Sequence, residues 1–285
     1  MAEILKGAPV AAALTDELAG RAAALSARGV TPTLAIVRVG ERPDDLSYER
    51  AALKRADKVG FAVRQFVLPD NCSQDELMTA IDEVNHDDSI HGCLMFRPLP
   101  ATLDEADACA ALDPAKDMDG ITAGSLYGVF ANRPVGYAPC TAEAVVCLLD
   151  HYGYNLCGAD VTVVGRSLVI GKPVSMMLQA RNATVTMCHT KTRDLAERCR
   201  QADIIVVAAG HPGTLRADAV RAGQIVVDVG INWDETAGKL VGDVAYDEVE
   251  PVVAAITPVP GGVGSVTTAV LAKHVIEAAE KVLHE

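Results

Sequence analysis

Apolar residues recur along this chain in short unbroken runs, separated by longer stretches in which they repeat at helical spacing. Residues 10–28 carry an Ala/Leu-rich helical pattern closed by Gly29, and Pro32 leads into an apolar run over 34–40 that predicts a strand. Residues 46–59 predict a second helix stopped by Gly60, and 61–68 alternate as a strand. Ser73, with Glu76 three positions on, has capping-box spacing for a third helix, and 92–96 follow as a short buried strand. Helix and strand in repeated alternation predict a small parallel sheet covered by helices. Pro98-Leu99-Pro100 interrupts the pattern. The polar, turn-rich segment 113–120 then predicts either a solvated loop or a carboxylate site built from Asp117 and Asp119. A D-x-D pair with no third ligand at a usable spacing does not predict a metal.

Residues 133–140 are rich in Pro and Gly and mark a domain boundary. Beyond a predicted helix over 141–150, Val161 to Val164 forms a β-branched apolar run, Gly165 and Gly171 bracket a loop, and Pro173 is placed in the first turn of a helix. Further strand-like runs at 183–188, 203–208 and 224–229, each separated by a helix-compatible segment, predict a doubly wound parallel sheet. Glycine loops at 230–232, 242–244 and 257–264 fall at the ends of these units, where ligands collect in open α/β sheets. Residues 267–283 predict a terminal amphipathic helix that returns to the first domain. The fold class expected is therefore α/β with two domains, a small parallel-sheet domain and a Rossmann-like doubly wound one.

Composition narrows the partners. The chain has 285 residues, half of them hydrophobic, which supports sizeable cores. Its formal net charge of -13 argues against nucleic acid or an anionic membrane, both of which demand a basic footprint. With no long apolar run and no basic leader ahead of an apolar core, a soluble cytoplasmic protein is expected. The eight cysteines form no C-x-x-C pair and no Cys/His ligand spacing, so buried free thiols are expected rather than a metal site or disulfides.

The junction at 161–173 carries the first chemistry. A strand, a glycine loop and a helix N-terminus aim backbone N–H groups at an anion, as dinucleotide phosphates require, although the spacing is not G-x-G-x-x-G and an ordinary β-loop-α unit has the same pattern. An NAD site places a carboxylate at the end of the second strand. Here that position reads Cys188-His-Thr-Lys-Thr-Arg193, without an acid, while Arg166, Thr190 and Lys191 offer a clamp for a 2′-phosphate. The chemistry favours NADP over NAD. His189 and His211 each follow a strand at this face, where a histidine is more often structural than catalytic.

These residues together resemble the methylenetetrahydrofolate dehydrogenase/methenyltetrahydrofolate cyclohydrolase family. The resemblance spans nearly the whole chain and is carried by Lys116-Asp-Met-Asp-Gly120, Pro139-Cys-Thr141, Val164-Gly-Arg-Ser-Leu-Val-Ile-Gly-Lys-Pro173, Asp228-Val-Gly-Ile-Asn232, Val241-Gly-Asp-Val244 and Thr257-Pro-Val-Pro-Gly-Gly-Val-Gly264. It implies a folate-binding catalytic domain of residues 1–138 and 265–285, an NADP domain of residues 139–264, and a homodimer built through the latter. It further implies hydride transfer from 5,10-methylenetetrahydrofolate to NADP, followed by hydrolysis of the methenyl product to 10-formyltetrahydrofolate. By the same resemblance Tyr48 and Asp119 are catalytic. Tyr48, Phe96, Asp119, Pro260, Gly261 and Gly262 bind the folate. Gly165, Arg166, Ser167, Gly171, Pro173, His189, Thr190 and Ile231 bind the cofactor.

Three positions depart from the family pattern. Ala52 stands where the family has the acid/base Lys four residues after the Tyr, Phe96 replaces a Gln, and Asp45 replaces a Ser. Lys54 lies about 240° round the helix from Tyr48 and predicts no substitute. The pattern leaves three readings: a dehydrogenase whose hydrolytic step is lost or rerouted, an NADP enzyme for another folate-like substrate, and a non-catalytic folate- or nucleotide-binding subunit.

Overall fold

The computed structural model describes residues 1–235 and 238–283. In chain order the elements are β1 (Glu3–Ile4), α1 (Gly7–Ala27), β2 (Thr33–Val39), α2 (Pro43–Val59), β3 (Ala62–Leu68), α3 (Gln74–His86), β4 (Gly92–Met95), α4 (Glu105–Ala111), α5 (Ala123–Ala131) and α6 (Cys140–His151). They continue as β5 (Asp160–Val164), α7 (Gly171–Ala180), β6 (Thr184–Cys188), α8 (Leu195–Gln201), β7 (Ile204–Val207), β8 (Ile225–Asp228), β9 (Asn232–Asp234), β10 (Lys239–Val241), α9 (Tyr246–Val249), β11 (Ala255–Ile256) and α10 (Thr267–Lys281). The chain divides into two units, Met1–Ala11 with Thr141–Thr267, and Ala12–Cys140 with Thr268–Glu285.

The smaller sheet has the order β3-β2-β4, with every pairing parallel. Its central strand, Thr-Leu-Ala-Ile-Val-Arg-Val, is buried from Leu34 onward, as a strand covered on both faces requires. A core of Ala35, Val37, Leu77, Ile81, Val84 and Met95 joins the sheet to α3. The Ser73 capping box forms as the spacing predicts: Ser73 Oγ accepts from Glu76 N at 3.2 Å and Glu76 Oε2 from Ser73 N at 2.7 Å. Arg38 points from β2 into the interior, where its guanidinium meets buried Glu49 of α2 at 2.7 Å and donates to the carbonyl of Gly40.

The larger sheet has the order β1-β11-β8-β7-β5-β6, again all parallel. From β5 the chain moves outward to β6, then returns to the other side of β5 as β7, so the strand order reverses between β5 and β7. That reversal opens a crevice at the carboxyl ends of the strands. Strand β7, Ile-Ile-Val-Val, is buried throughout.

Three expectations need correction. Residues 1–11 were expected in the first domain; instead β1 pairs with β11 and extends the larger sheet, because Glu3 and Leu5 donate N–H bonds to Ala254 and Ile256. The segment 113–120 is not simply a solvated loop. Asp117 and Met118 are buried, and Asp117 spends both carboxylate oxygens on the N–H groups of Ile121 and Thr122, at 3.0 and 2.7 Å, which makes it a structural acid rather than half of an acidic site. Pro173 falls in the first turn of α7, as expected, with the helix opening two residues earlier at Gly171. Not all cysteines are buried: Cys157 is exposed, while all eight are free thiols.

Candidate functional site

The polar and aromatic residues singled out around the three-stranded sheet come together because they follow parallel strands at the same end of that sheet. Tyr48 lies on α2, which follows β2, and Phe96 comes directly after β4. Asp117 forms a parallel bridge with Cys93 of β4 and Met118 N–H donates to the Cys93 carbonyl at 3.1 Å, so Asp119 also leaves the sheet at that edge. The Tyr48 and Phe96 rings meet edge to face, with centroids 6.0 Å apart and planes at 81°. Asp119 Oδ1 accepts the N–H of Cys140, the first residue of α6, at 3.2 Å. Burial raises the Asp119 carboxyl above its ordinary range, and the bonds from Cys140 oppose that rise.

One turn beyond Tyr48, Ala52 is buried and carries a methyl group, and Lys54 is exposed, as its helical phase predicts. Asp45 occupies the same face of α2 one turn before Tyr48, buried, with its pKa raised chiefly by that burial and lowered in part by Arg42. The ring of Phe96 has no donor or acceptor. No group of three or more His, Cys, Asp or Glu side chains suited to a metal occurs among the described residues.

In the unit with the six-stranded sheet, the loop between β5 and α7 occupies the crevice at the strand reversal. Gly165 adopts φ 145°, and a Cβ there would lie 2.3 Å from the Ala208 carbonyl oxygen, so only glycine lets this turn pass beneath the end of β7. A Cβ on Gly171 would lie 2.4 Å from the Gly165 carbonyl, which brings the first turn of α7 against the loop. Ser167 closes the same turn, its Oγ accepting from Ile170 N at 3.2 Å. A cavity of about 250 Å³ opens above, lined by Gly165, Arg166, Ser167, His189, Thr190 and His211 among others. His189 Nδ1 accepts the N–H of Lys191 at 3.1 Å and the backbone N–H of His189 donates to Thr192 Oγ1 at 2.8 Å, which folds the chain after β6 into a tight polar corner. Gly171 and Pro173 do not line this cavity; they shape the helix turn beneath it. Lys191 does not line it either.

A second cavity, about 240 Å³, opens in the same unit and is lined by Ile231, Pro258, Pro260, Gly261, Gly262 and Gly264 among others. Its walls are set by two acids that sequence reasoning missed. Asp228 accepts the N–H groups of Gly230, Asp243 and Val244 at 2.9, 3.0 and 3.0 Å. Asp243 accepts those of Ala209 and Gly210 at 2.6 and 2.8 Å, and Asn232 Nδ2 at 2.9 Å. The loops after β7, β8 and β10 are thus tied together. A Cβ on Gly242 would lie 1.8 Å from Asp228 Oδ2, and one on Gly230 would lie 2.3 Å from Asp243 Cγ, so each acid is paired with a glycine that admits it. Burial pushes Asp228 up to about 6, against the pull of its three N–H donors. Gly7 N–H donates to the Gly261 carbonyl at 2.8 Å, anchoring the 257–264 loop to the start of the chain.

Residues 5–119 match the tetrahydrofolate dehydrogenase/cyclohydrolase catalytic domain, and residues 139–283 the NAD(P)-binding domain of the same family. This chain belongs to that family. A curated relative from Carboxydothermus hydrogenoformans, the bifunctional protein FolD, is 49% identical over 281 residues, covering 98% of both chains. The crystal structure of the bifunctional enzyme FolD, a methylenetetrahydrofolate dehydrogenase/cyclohydrolase from Campylobacter jejuni, superposes with a TM-score of 0.95 at 38% identity, covering 99% of this chain and all of that one. The Trypanosoma brucei enzyme, solved with NADP cofactor and an inhibitor, gives 0.92 at 35% identity over 100% of this chain and 99% of that one. The two family matches between them cover residues of both units. No helix among the described residues is long and apolar enough to cross a membrane.

Proposed function

We propose that this protein is an NADP-dependent 5,10-methylenetetrahydrofolate dehydrogenase whose methenyltetrahydrofolate cyclohydrolase step is slow, because Ala52 and Phe96 replace the proton-handling pair. The observation that carries the reading is the cavity above Gly165, in which Arg166, His189 and Thr190 meet with no carboxylate among them. That is a cradle for a phosphorylated ribose, not for a free 2′-hydroxyl. The turn at Gly165 and the N-terminus of α7 supply N–H groups for the diphosphate. NADP, when bound, accepts hydride from the one-carbon bridge, and the adjoining folate nitrogens stabilise the cation that remains.

The chain's own residues supply position. Asp119 grips the pterin ring through its N–H groups, Tyr48 closes over the one-carbon bridge, and Pro260, Gly261 and Gly262 present a rigid backbone wall beside Ile231. Orientation accounts for the acceleration of a step that needs neither acid nor base. Hydrolysis differs, since water attack on the methenyl carbon requires a proton acceptor and then a donor. The methyl of Ala52 and the ring of Phe96 provide neither. The same reading places the protein in the cytoplasm as a homodimer joined through the cofactor unit, where the β9–β10 hairpin displays Trp233 and Leu240 to solvent.

The test is a steady-state assay with the folate and either NADP or NAD. NADPH should form faster than NADH, with methenyltetrahydrofolate accumulating alongside it. Absence of reduced cofactor with either dinucleotide would refute the dehydrogenase. Stoichiometric 10-formyltetrahydrofolate without methenyl accumulation would refute the slow second step.

A further inference from the structure

Asp119 is held by more than the helix end that it touches. The carbonyl of Met118, one bond before it, receives two side-chain donors from distant parts of the chain: Cys140 Sγ at 3.2 Å and His274 Nδ1 of α10 at 2.8 Å. A carbonyl only accepts, so Nδ1 carries a proton and the thiol donates as well, filling both lone pairs of one buried oxygen. The two donors also meet each other, with Sγ and Nδ1 3.9 Å apart. Cys140, His274 and Met118 are all buried. The ring of Tyr137 lies against the imidazole at 5.0 Å between centroids and 37° between planes, and Lys281 Nζ donates to the Tyr137 hydroxyl at 2.8 Å, so the imidazole is fixed in its plane.

Cys140 therefore holds residues 118 and 119 through its thiol, which bonds the Met118 carbonyl and also bears on the Asp119 carboxylate, and through its backbone N–H on that carboxylate. Rotation of the Met118–Asp119 peptide would break the thiol and imidazole bonds together and swing the carboxylate away from the helix end. Because the carbonyl is buried, losing its donors leaves an unsatisfied acceptor that favours such rotation.

From this geometry we propose that Cys140 and His274 are positioning residues for the folate: a thiol–imidazole clamp on the Met118 carbonyl that aims the Asp119 carboxylate at the pterin. The proposal rests on the reading of Asp119 as the pterin-binding acid. Both act on the folate only through residues 118 and 119, which they hold in place.

The experiment measures KM for methylenetetrahydrofolate, KM for NADP, kcat and thermal midpoint for Cys140→Ala, Cys140→Ser, His274→Leu, His274→Asn and Asp119→Asn. Serine keeps a donor at the thiol position, and asparagine keeps one where Nδ1 stands. The clamp predicts that Cys140→Ala and His274→Leu raise the folate KM by about tenfold, the loss of one hydrogen bond's worth of orientation. KM for NADP and kcat should stay within about twofold, and the Ser and Asn variants should recover most of the loss. If either pair instead raises both KM values equally, or if Ser and Asn fail to rescue in folded protein, the residues are merely structural and the proposal falls. An unchanged folate KM in folded Cys140→Ala and His274→Leu also overturns it. Should His274→Leu not fold, the Asn variant and the Cys140 pair decide by the same criteria. Asp119→Asn separates the underlying reading: an unchanged folate KM there removes Asp119 as the pterin acid, whatever the clamp variants do.

Discussion

Replacing Gly171 by Ala tests whether the cofactor loop depends on close approach of backbone to backbone. The new Cβ would stand 2.4 Å from the Gly165 carbonyl carbon and oxygen and 2.6 Å from Arg166 N, where ordinary contact begins at 3.4 Å. The obstruction is main chain, so it cannot be relieved by a rotamer change, and the loop or the first turn of α7 must move by about 1 Å. Misplacement on that scale costs on the order of 100-fold where geometry governs rate, and overpacking costs about 1–3 kcal/mol of stability. Titration of the intrinsic or NADPH fluorescence should therefore show the dinucleotide binding about 10- to 100-fold more weakly, with KM for the folate little changed. Gly20→Ala is the control: nothing lies within 4 Å of its Cβ, it sits inside α1, and it should stabilise the protein by about 0.5–1 kcal/mol. Wild-type NADPH affinity in Gly171→Ala would refute the account of this loop.

Restoring the lysine by Ala52→Lys, with Phe96→Gln, should speed decay of the methenyl chromophore at least tenfold while leaving hydride transfer in place; unchanged decay in folded protein would show that those positions do not limit hydrolysis. Arg166→Ala should narrow the preference for NADP over NAD by about tenfold, read as the ratio of kcat/KM values, since it removes a charge-assisted contact to the 2′-phosphate. Asp228, pushed up to about 6 from 3.8, binds a proton in the folded state that the unfolded chain has released, so its contribution to stability is full below about pH 4 and declines as pH rises through 6. Chemical denaturation should show wild type losing on the order of 3 kcal/mol relative to Asp228→Asn across that window, and a constant difference would contradict the assignment.

Much of the fold was legible because its strands are buried on both faces and its helices are bounded by strong local signals. The uninterrupted apolar run at β5, the capping box at Ser73 and the glycine at position 60, which ends α2 with φ 90°, all act within a few residues. The placement of residues 1–11 was not legible, since two residues of β1 are too few to show a period and their partner lies some 250 positions away. The acids behaved similarly. Asp117 and Asp119 sit two apart in one polar segment, yet one is consumed by local N–H groups and the other faces the candidate site. Asp228 and Asp243 lie in separate glycine motifs, and the glycine beside each was the available signal that a side chain from elsewhere enters there. Cys140 and His274 meet across 134 residues without any spacing rule to announce them.

Departures in the site were legible for the opposite reason: the phase of α2 is local. Tyr48, Ala52 and Lys54 take the orientations that 100° per residue assigns them, with Ala52 buried and Lys54 exposed. What local phase did not convey was the surrounding electrostatics. Glu49 is engaged by Arg38 and Gln65, and Asp45 is buried with a raised pKa.

Direct transfer of hydride between the folate bridge and the nicotinamide is the claim on which the functional account stands. Methylenetetrahydrofolate carrying deuterium on the bridge carbon, incubated with the enzyme and NADP, should yield reduced cofactor bearing one deuterium and a methenyl product retaining the other. Deuterium released to water, or retained in full by the folate while cofactor is reduced, would contradict it.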